Sequence, residues 1–187
     1  MTDPSADSSA RRDDRAGALD AVAGAVASAA GGSGAVVVVG PPDVLDDAQA
    51  RAVGAGLAVL RARASEAERG SPFAVARQLL APALAGLGPA RRAKVLRGAA
   101  RLAAPLLEPA PLGAGAERDL SAIHGLYWLT SNLADLHPLA MLVDDAEWAD
   151  AASVRLFAYL AQRIDELPVA LVLGTRSGAL EALGGSR

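Results

Sequence analysis

The feature that most constrains the fold of this chain is an apolar run that ends in two carboxylates. The four residues Ala140–Val143 are apolar, as expected for a strand buried on both faces of a parallel sheet, and Asp144 and Asp145 follow directly. The carboxyl ends of parallel strands open into the crevice in which α/β proteins bind ligands. The run therefore predicts an α/β fold with two acidic side chains at its ligand-binding edge.

Helical and strand patterns alternate along the rest of the chain. Apolar runs bounded by turn residues predict further strands at 35–39, 57–61 and 168–175. Apolar residues at helical spacing predict helices at about 15–30, 43–53, 72–85, 89–104, 119–136 and 149–164, with a loop at 105–115. The strand at 35–39 is β-branched and apolar on both faces, which favours the centre of the sheet. The alternation predicts a three-layer α/β fold, a parallel sheet flanked by helices.

The length of the chain predicts one domain with a tail on each side. A chain of 187 residues is long enough for one α/β domain and too short for two of ordinary size. Residues 1–15 are rich in Ser, Asp and Arg without apolar periodicity, which predicts a disordered tail. Residues 16–178 are predicted to form the core, and the Gly-rich residues 179–187 a flexible tail.

Composition argues against several classes of function. The formal net charge is −3 and the arginines are scattered, so no surface for direct nucleic-acid binding is expected. The chain has no cysteine and two histidines, which excludes thiolate chemistry and argues against a histidine zinc cluster. The apolar stretch Ala16–Val39 is interrupted by Asp20 and by Gly31–Gly34, so we expect no membrane segment and a cytoplasmic protein.

The turn after the strand at 35–39 departs from a phosphate-binding loop. In the pattern Gly-x-x-x-x-Gly-Lys-Ser/Thr, backbone amides surround the phosphates, the lysine neutralises them and the hydroxyl holds Mg²⁺. Aligned from Gly40, the second glycine is replaced by Leu45, the lysine by Asp46 and the hydroxyl residue by Asp47. Of the groups that the pattern requires, only Gly40 remains.

Carboxylates replace the missing cation in this turn. Asp43, Asp46 and Asp47 would repel a triphosphate, at roughly 4 kcal/mol for each like-charge pair about 4 Å apart at an effective dielectric of 20. Asp43 is also expected to cap the following helix, so that the protein's own side chains occupy the anion site. The only lysine of the chain, Lys94, lies in an arginine-rich helix and is expected on a solvated face.

Several linked motifs resemble the AAA-like ATPase domain found at the N-terminus of large LuxR-family transcriptional regulators, a branch of the STAND ATPases. The resemblance covers most of the chain after Ala16. The motifs are Arg61–Glu68 with Pro72-Phe73 and Arg77-Gln78-Leu79, then His124–Thr130, Leu142–Asp150 and Gly174–Arg176. The resemblance implies a P-loop-NTPase-like sheet and, where nucleotide binding is retained, ATP and Mg²⁺ as cofactors.

In that family the acidic strand is the Walker B strand. The resemblance implies that Asp144 holds Mg²⁺ through water and that Asp145 polarises the attacking water. It also implies that Thr175 and Arg176 form a sensor-1 strand end and that Gly40 is a remnant of Walker A. On the residues alone, the two carboxylates are also explained as a cap for the next helix, and Thr175 as a turn residue.

Two other candidates have simpler explanations. His124, beside Tyr127 and Trp128, is expected to be a packing histidine because no second ligand lies four residues away. No Ser, His and Asp set for nucleophilic catalysis stands out around Ser121 or Ser153.

Three functional hypotheses follow. The first is a degenerate AAA/STAND ATPase-like domain without the helical lid, a pseudo-ATPase that acts in regulation through a protein partner or self-association. The second is an ATPase module that binds ATP and Mg²⁺ and hydrolyses slowly. The third is a truncated reading frame, because the family's lid, repeat region and helix-turn-helix would lie beyond Arg187. The loss of the Walker A lysine and hydroxyl favours the first.

Overall fold

The computed structural model, which describes residues 4–40, 43–108 and 120–176, has one sheet of four parallel strands. The strands are β1 (Ala35–Val39), β2 (Ala58–Arg63), β3 (Leu139–Asp144) and β4 (Val169–Gly174), in the order β1-β4-β3-β2. The helices of the described residues are α1 (Pro4–Ala30), α2 (Val44–Gly54), α3 (Ala74–Ala85), α4 (Pro89–Val95), α5 (Ala104–Leu107), α6 (Leu120–Ala134) and α7 (Ala151–Ala161). All four predicted strands are present, with ends within two residues of the prediction.

Alternate side chains of β3 pack on opposite faces of the sheet. Leu139, Met141 and Val143 belong to a large core cluster with the buried faces of α3, α6 and α7. Ala140 and Leu142 belong to a smaller cluster with α1 and α2. The sheet therefore lies between two helical layers, which confirms the predicted three-layer α/β fold and is consistent with a P-loop-NTPase-like fold. Within the described residues, each helix is too short or too polar to cross a membrane.

In the sheet of the described residues, Ala35–Val39 does not lie at the centre, contrary to the prediction. Among the described strands, β1 pairs only with β4, and it forms one edge of the sheet. Residues 35–38 are half-buried, whereas β3 and β4 are buried throughout. A run of valines suits a central strand and an edge strand of a sheet, so the sequence does not distinguish the two positions.

The predicted disordered tail over residues 1–15 is wrong from Pro4 onward, because α1 begins there. Proline suits the first turn of a helix, and the alanines that follow favour its continuation. The packed part of α1 lies further along, at Val22, Ala25, Val26 and Ala29. A polar first half can extend a helix whose second half is held by packing. The predicted tail at 179–187 lies outside the described residues.

The helix predicted over 89–104 is divided. Helix α4 ends at Val95, and Gly98 has a φ of 60°, a conformation that favours glycine. A 3₁₀ segment, Gly98–Ala103, leads into α5, which occupies the start of the predicted loop. Gly125 of α6 allows this segment to approach closely, since a Cβ there would lie 2.8 Å from the backbone nitrogen of Ala103. The rest of the predicted loop, from 109, lies outside the described residues.

Asp150 joins the starts of α3 and α7. The carboxylate is 2% exposed, and Oδ1 accepts hydrogen bonds from the backbone nitrogens of Phe73 (2.7 Å) and Ser153 (2.9 Å). Oδ2 accepts from Ser153 Oγ (2.7 Å) and from the backbone nitrogen of Val75 (3.3 Å). Asp150, and neither carboxylate of the strand end, therefore caps α7, and Ser153 has a structural partner.

Replacing Asp150 by Ala should lower the free energy of unfolding by about 3 kcal/mol, because buried backbone donors at two helix starts lose their acceptor. Urea unfolding followed by circular dichroism measures this. The matched control is Asp135→Ala, whose side chain is 55% exposed and pairs with Arg97 at 3.5 Å. It should cost less than about 1 kcal/mol. Equal losses in the two variants would contradict the role of Asp150.

Candidate functional site

The residues predicted for the site meet at the carboxyl edge of the sheet. Val39 is in register with Gly174 in the β1–β4 pair, and the neighbouring strand β3 ends at Asp144. A narrow cleft at this edge is lined by Gly40, Leu45, Asp145, Gly174, Thr175 and Arg176. The structure thus brings together the strand ends that the sequence assigned to the site.

Asp144 is held by an arginine from the neighbouring strand. Arg61 of β2 donates from Nε to Asp144 Oδ2 at 2.8 Å and from Nη2 to Oδ1 at 3.2 Å. The carboxylate is nearly buried, with 12% of its side chain exposed. A two-point contact of this kind fixes both oxygens of the carboxylate.

The same arginine also reaches the turn after β1. Arg61 Nη1 donates to Asp46 Oδ1 at 2.7 Å and to Gln49 Oε1 at 2.9 Å. The hydrogen bonds to Asp144 raise the pKa of the Arg61 guanidinium above its ordinary value, and the single hydrogen bond to Asp46 adds to the effect. Arg61 therefore bridges α2 and β3. The sequence pattern gave Arg61 no site role, and its place in a family motif was the one signal available.

Asp145 is held by two further arginines. It has a φ of 51°, in the left-handed region, and follows the end of β3 directly. Arg176 Nη2 donates to Oδ1 at 2.6 Å and Arg63 Nε donates to Oδ2 at 2.9 Å. The hydrogen bond from Arg176, with that from Arg63, lowers the pKa of the Asp145 carboxyl.

The carboxylates of the turn after β1 are paired and do not form an open acidic surface. Arg15 of α1 donates to Asp43 Oδ2 and to Asp47 Oδ2, both at 2.8 Å. Asp46 is paired with Arg61. The expected cap is also wrong, since Asp43 precedes α2 without a side-chain cap hydrogen bond. Pairing with an arginine outside the helix takes the place of capping.

Leu45 fills the space at the position of the missing second glycine. Its side chain is fully buried. A Cβ at Gly174 would collide with Leu45 Cδ1, so leucine and glycine fit each other across the ends of α2 and β4. In the phosphate-loop pattern this position is glycine so that the backbone can approach a phosphate.

Thr175 and Arg176 belong to the structure of the edge. The backbone nitrogen of Thr175 donates to the carbonyl of Val39 at 2.9 Å, and the residue is 6% exposed. The backbone nitrogen of Arg176 donates to Glu147 Oε1 at 3.4 Å. The other carboxylate oxygen of Glu147 is buried and has no hydrogen-bond partner among the described residues. A role of Thr175 and Arg176 as a sensor stays a prediction.

The described residues do not fit ATP with Mg²⁺, the group that this fold implies. Arg15, Arg61, Arg63 and Arg176 each donate to a carboxylate of the protein. Leu45 packs against Gly174, at a position where the phosphate-loop pattern has glycine.

A wider groove of about 950 Å³ lies beside the cleft. Its walls are the end of β1, at Val38 and Val39, the following Gly40, and one face of α1. Asp14, Arg15, Asp43 and Arg176 stand at its polar end, and Gly17, Ala18 and Ala21 form the apolar wall. Its volume is in the range of small-molecule sites.

His124 lies outside this site, in an aromatic surface cluster. It accepts a hydrogen bond from Trp128 Nε1 at 3.0 Å, and Tyr127 packs edge-on against Trp128 and Tyr159. His124 is exposed, so it contacts its neighbours at the surface and not within the core. Lys94 is also exposed, as predicted.

The parallel sheet, the helices on both faces and the acidic strand end define an α/β domain of P-loop-NTPase-like architecture. The model of the AAA ATPase domain family matches residues 12–173, most of the chain, and the chain belongs to that family. No curated protein and no solved structure matches it. The AAA-like part of the sequence resemblance is confirmed, and the link to LuxR-family regulators stays a prediction.

The bridge from Arg61 to Asp144 should be energetically coupled. Arg61→Met and Asp144→Asn should each lower the free energy of unfolding, and the double-mutant cycle should give a coupling of about 1 kcal/mol, allowing for the solvent exposure of Arg61. Urea unfolding of the four proteins measures it. The control cycle on the exposed pair Arg97 and Asp135 should give less than about 0.5 kcal/mol. A coupling near zero at Arg61 would contradict the bridge.

The lowered pKa of Asp145 should appear as a loss of stability in acid. The native state keeps this carboxylate ionised at pH values where the unfolded chain, with a pKa of about 3.9, is protonated. Its contribution is therefore complete above that pH and is lost as the pH falls through the native pKa. The unfolding free energy should decline less steeply below about pH 4 in Asp145→Asn, and in Arg176→Gln, than in the wild type. Three superimposable curves would contradict the assignment.

Proposed function

We propose that this AAA ATPase-family domain is a pseudo-ATPase, which does not bind nucleotide at the strand-end site and acts in regulation through protein contacts. The observation that carries the proposal is the bridge made by Arg61, which donates to Asp46 and to Asp144 at once. These positions are the aligned lysine of the phosphate loop and the first acid of the strand end. In a working site they would face phosphate and Mg²⁺.

The charges of the edge support the same proposal. Asp145 would have to orient water, but both of its oxygens accept from arginine. The carboxylates after β1 are likewise paired, so a nucleotide would have to break several charge-assisted hydrogen bonds to enter. Leu45 would also have to leave a fully buried position. Breaking these hydrogen bonds and moving Leu45 would both cost free energy, and the described residues offer no new contact to a nucleotide that would offset the cost.

The sequence motifs extend the proposal to a biological setting. The runs from Arg61, from His124 and from Leu142 are those that resemble LuxR-associated STAND domains. We therefore infer a cytoplasmic regulatory role, in which Asp144, Asp145, Thr175, Arg176 and Gly40 are inherited positions. A protein partner or a second copy would then carry the signal in place of nucleotide.

Calorimetric titration of the purified chain with ATP and Mg²⁺ tests the proposal. We expect no saturable heat and no rise in melting temperature, whereas a ligand at a hundred times its Kd would add about 2.7 kcal/mol of stability. Micromolar binding would contradict the proposal. Asp144→Asn serves as the control, because a weak signal that persists in this variant does not arise at the acid pair.

The groove beside Gly40 favours a second candidate, an ATPase module with a displaced nucleotide. The groove is large enough for a small ligand, and Arg15 and Arg176 stand at its end. This candidate requires slow ATP turnover that depends on the acid pair. A phosphate-release assay in which Asp145→Asn leaves the observed rate unchanged would reject it.

A further inference from the structure

The surface of α6 carries a contact that depends on one proton. Trp128 Nε1 donates a hydrogen bond to His124 Nε2 at 3.0 Å, between two exposed residues one helical turn apart. An indole nitrogen can only donate, and an imidazole nitrogen accepts only when it carries no proton. His124 is therefore neutral in this arrangement, with its proton on Nδ1. Nδ1 in turn faces the hydroxyl of Tyr159 on α7, 3.5 Å away.

The relative orientation of the two rings suits only the neutral imidazole. Their centroids are 6.1 Å apart and their planes are inclined at 80°, and the indole presents its N–H edge to His124. The edge of an aromatic ring is positive and its face is negative. A proton on Nε2 removes the acceptor and places a positive N–H against that edge. Because a cation is instead attracted to the face of an indole, protonation favours a rotated Trp128.

The elements packed around α6 also carry ionisable groups. They are Tyr159 and Arg163 of α7, Glu166 of the 3₁₀ turn after α7, Arg101 of the 3₁₀ segment before α5, and Arg91, Arg92 and Lys94 of α4, which contacts α6 two turns beyond His124. Arg163 lies over the ring of Tyr159, 3.9 Å from its centroid, so a cation already stands beside the residue that Nδ1–H faces. On α6 itself, burial and then the charge of Glu166 raise the pKa of Tyr127. Of these side-chain types, imidazole alone ordinarily titrates between about pH 5 and 8.

We propose that His124 and Trp128 form a pH-sensitive switch on the surface of α6, which is closed when His124 is neutral and released when it is protonated. The inference goes beyond the proposed function and does not rest on it, because the two residues lie outside the strand-end site. Trp128 is 41% exposed, so its indole can turn without leaving the core.

A chain of aromatic contacts links this switch to the next helix. Tyr127 packs edge-on against Trp128, with centroids 5.6 Å apart, and against Tyr159 of α7, with centroids 5.4 Å apart. A rotation of the Trp128 indole removes the first of these contacts, and protonation changes the charge of the ring that faces Tyr159. Mild acidification therefore alters the aromatic surface that α6 and α7 present together.

Nitrogen NMR of the ¹⁵N-labelled full chain tests the closed state directly, because ring nitrogen shifts distinguish a protonated from an unprotonated nitrogen. At about pH 8, where imidazole is ordinarily neutral, we expect the His124 ring to carry its proton on Nδ1 and none on Nε2. The chain has two histidines, so the signals that remain in His137→Gln belong to His124. A neutral His124 ring with its proton on Nε2 would overturn the proposal.

A pH titration of the indole N–H signals tests the release. The chain has two tryptophans, and Trp148→Phe identifies the signal of Trp128. Between about pH 8 and pH 5 we expect the Trp128 signal to shift in a single transition, in step with the ring signals of His124. The Trp148 signal, from a ring that lies 5.7 Å below the guanidinium of Arg69, should stay in place.

The two histidines supply the matched pair of variants for this titration. His124→Gln keeps an acceptor for Trp128 but has no proton to gain, so the transition should be lost completely. His137→Gln, which changes the other exposed histidine, should leave the transition unchanged. A Trp128 signal without a transition in the wild type, a transition that persists in His124→Gln, or one that disappears in His137→Gln would each overturn the proposal.

Discussion

The arrangement of the strand-end site depends on one guanidinium. Arg61 lies on β2, yet its side chain reaches the end of β3 at Asp144 and the first turn of α2 at Asp46. Arg61 makes two hydrogen bonds to the nearly buried Asp144 carboxylate, so the geometry of this pair is more restricted than that of an exposed pair. Because α2 is thereby held against the strand ends, Leu45 can pack on Gly174 and close the space between them.

Arginine counter-ions give the acid pair a structural role. Carboxylates at a strand end carry unfavourable like charge unless a cation compensates it, and Mg²⁺ and guanidinium both do so. A metal leaves ligand positions for water and phosphate, whereas a guanidinium fork fills the carboxylate's hydrogen-bonding positions. With Arg61 on Asp144 and with Arg63 and Arg176 on Asp145, the acids hold the edge of the sheet together.

The sequence predicted the sheet better than the site. Buried strands such as β3 and β4 are continuous apolar runs, so the local sequence is enough to predict them. The edge position of β1 depends on what lies beside it, which five apolar residues do not record. The pair Arg61 and Asp144 is separated by 83 positions, and no local spacing reveals such a contact. The local pattern predicts that Asp43 caps α2. In the structure, Asp43 instead pairs with Arg15 of α1, a contact between residues far apart in the sequence.

The remaining unpaired capacity of the described sheet therefore lies away from the acids. At the carboxyl edge, polar side chains are largely satisfied by one another, and the space between α2 and β4 is packed with leucine. Among the described residues, the outer backbone groups of β1 have no strand partner, and valine side chains cannot supply one. Under the proposed function, the protein contacts that replace nucleotide would therefore not use the acids of the carboxyl edge, whose oxygens already accept from arginine.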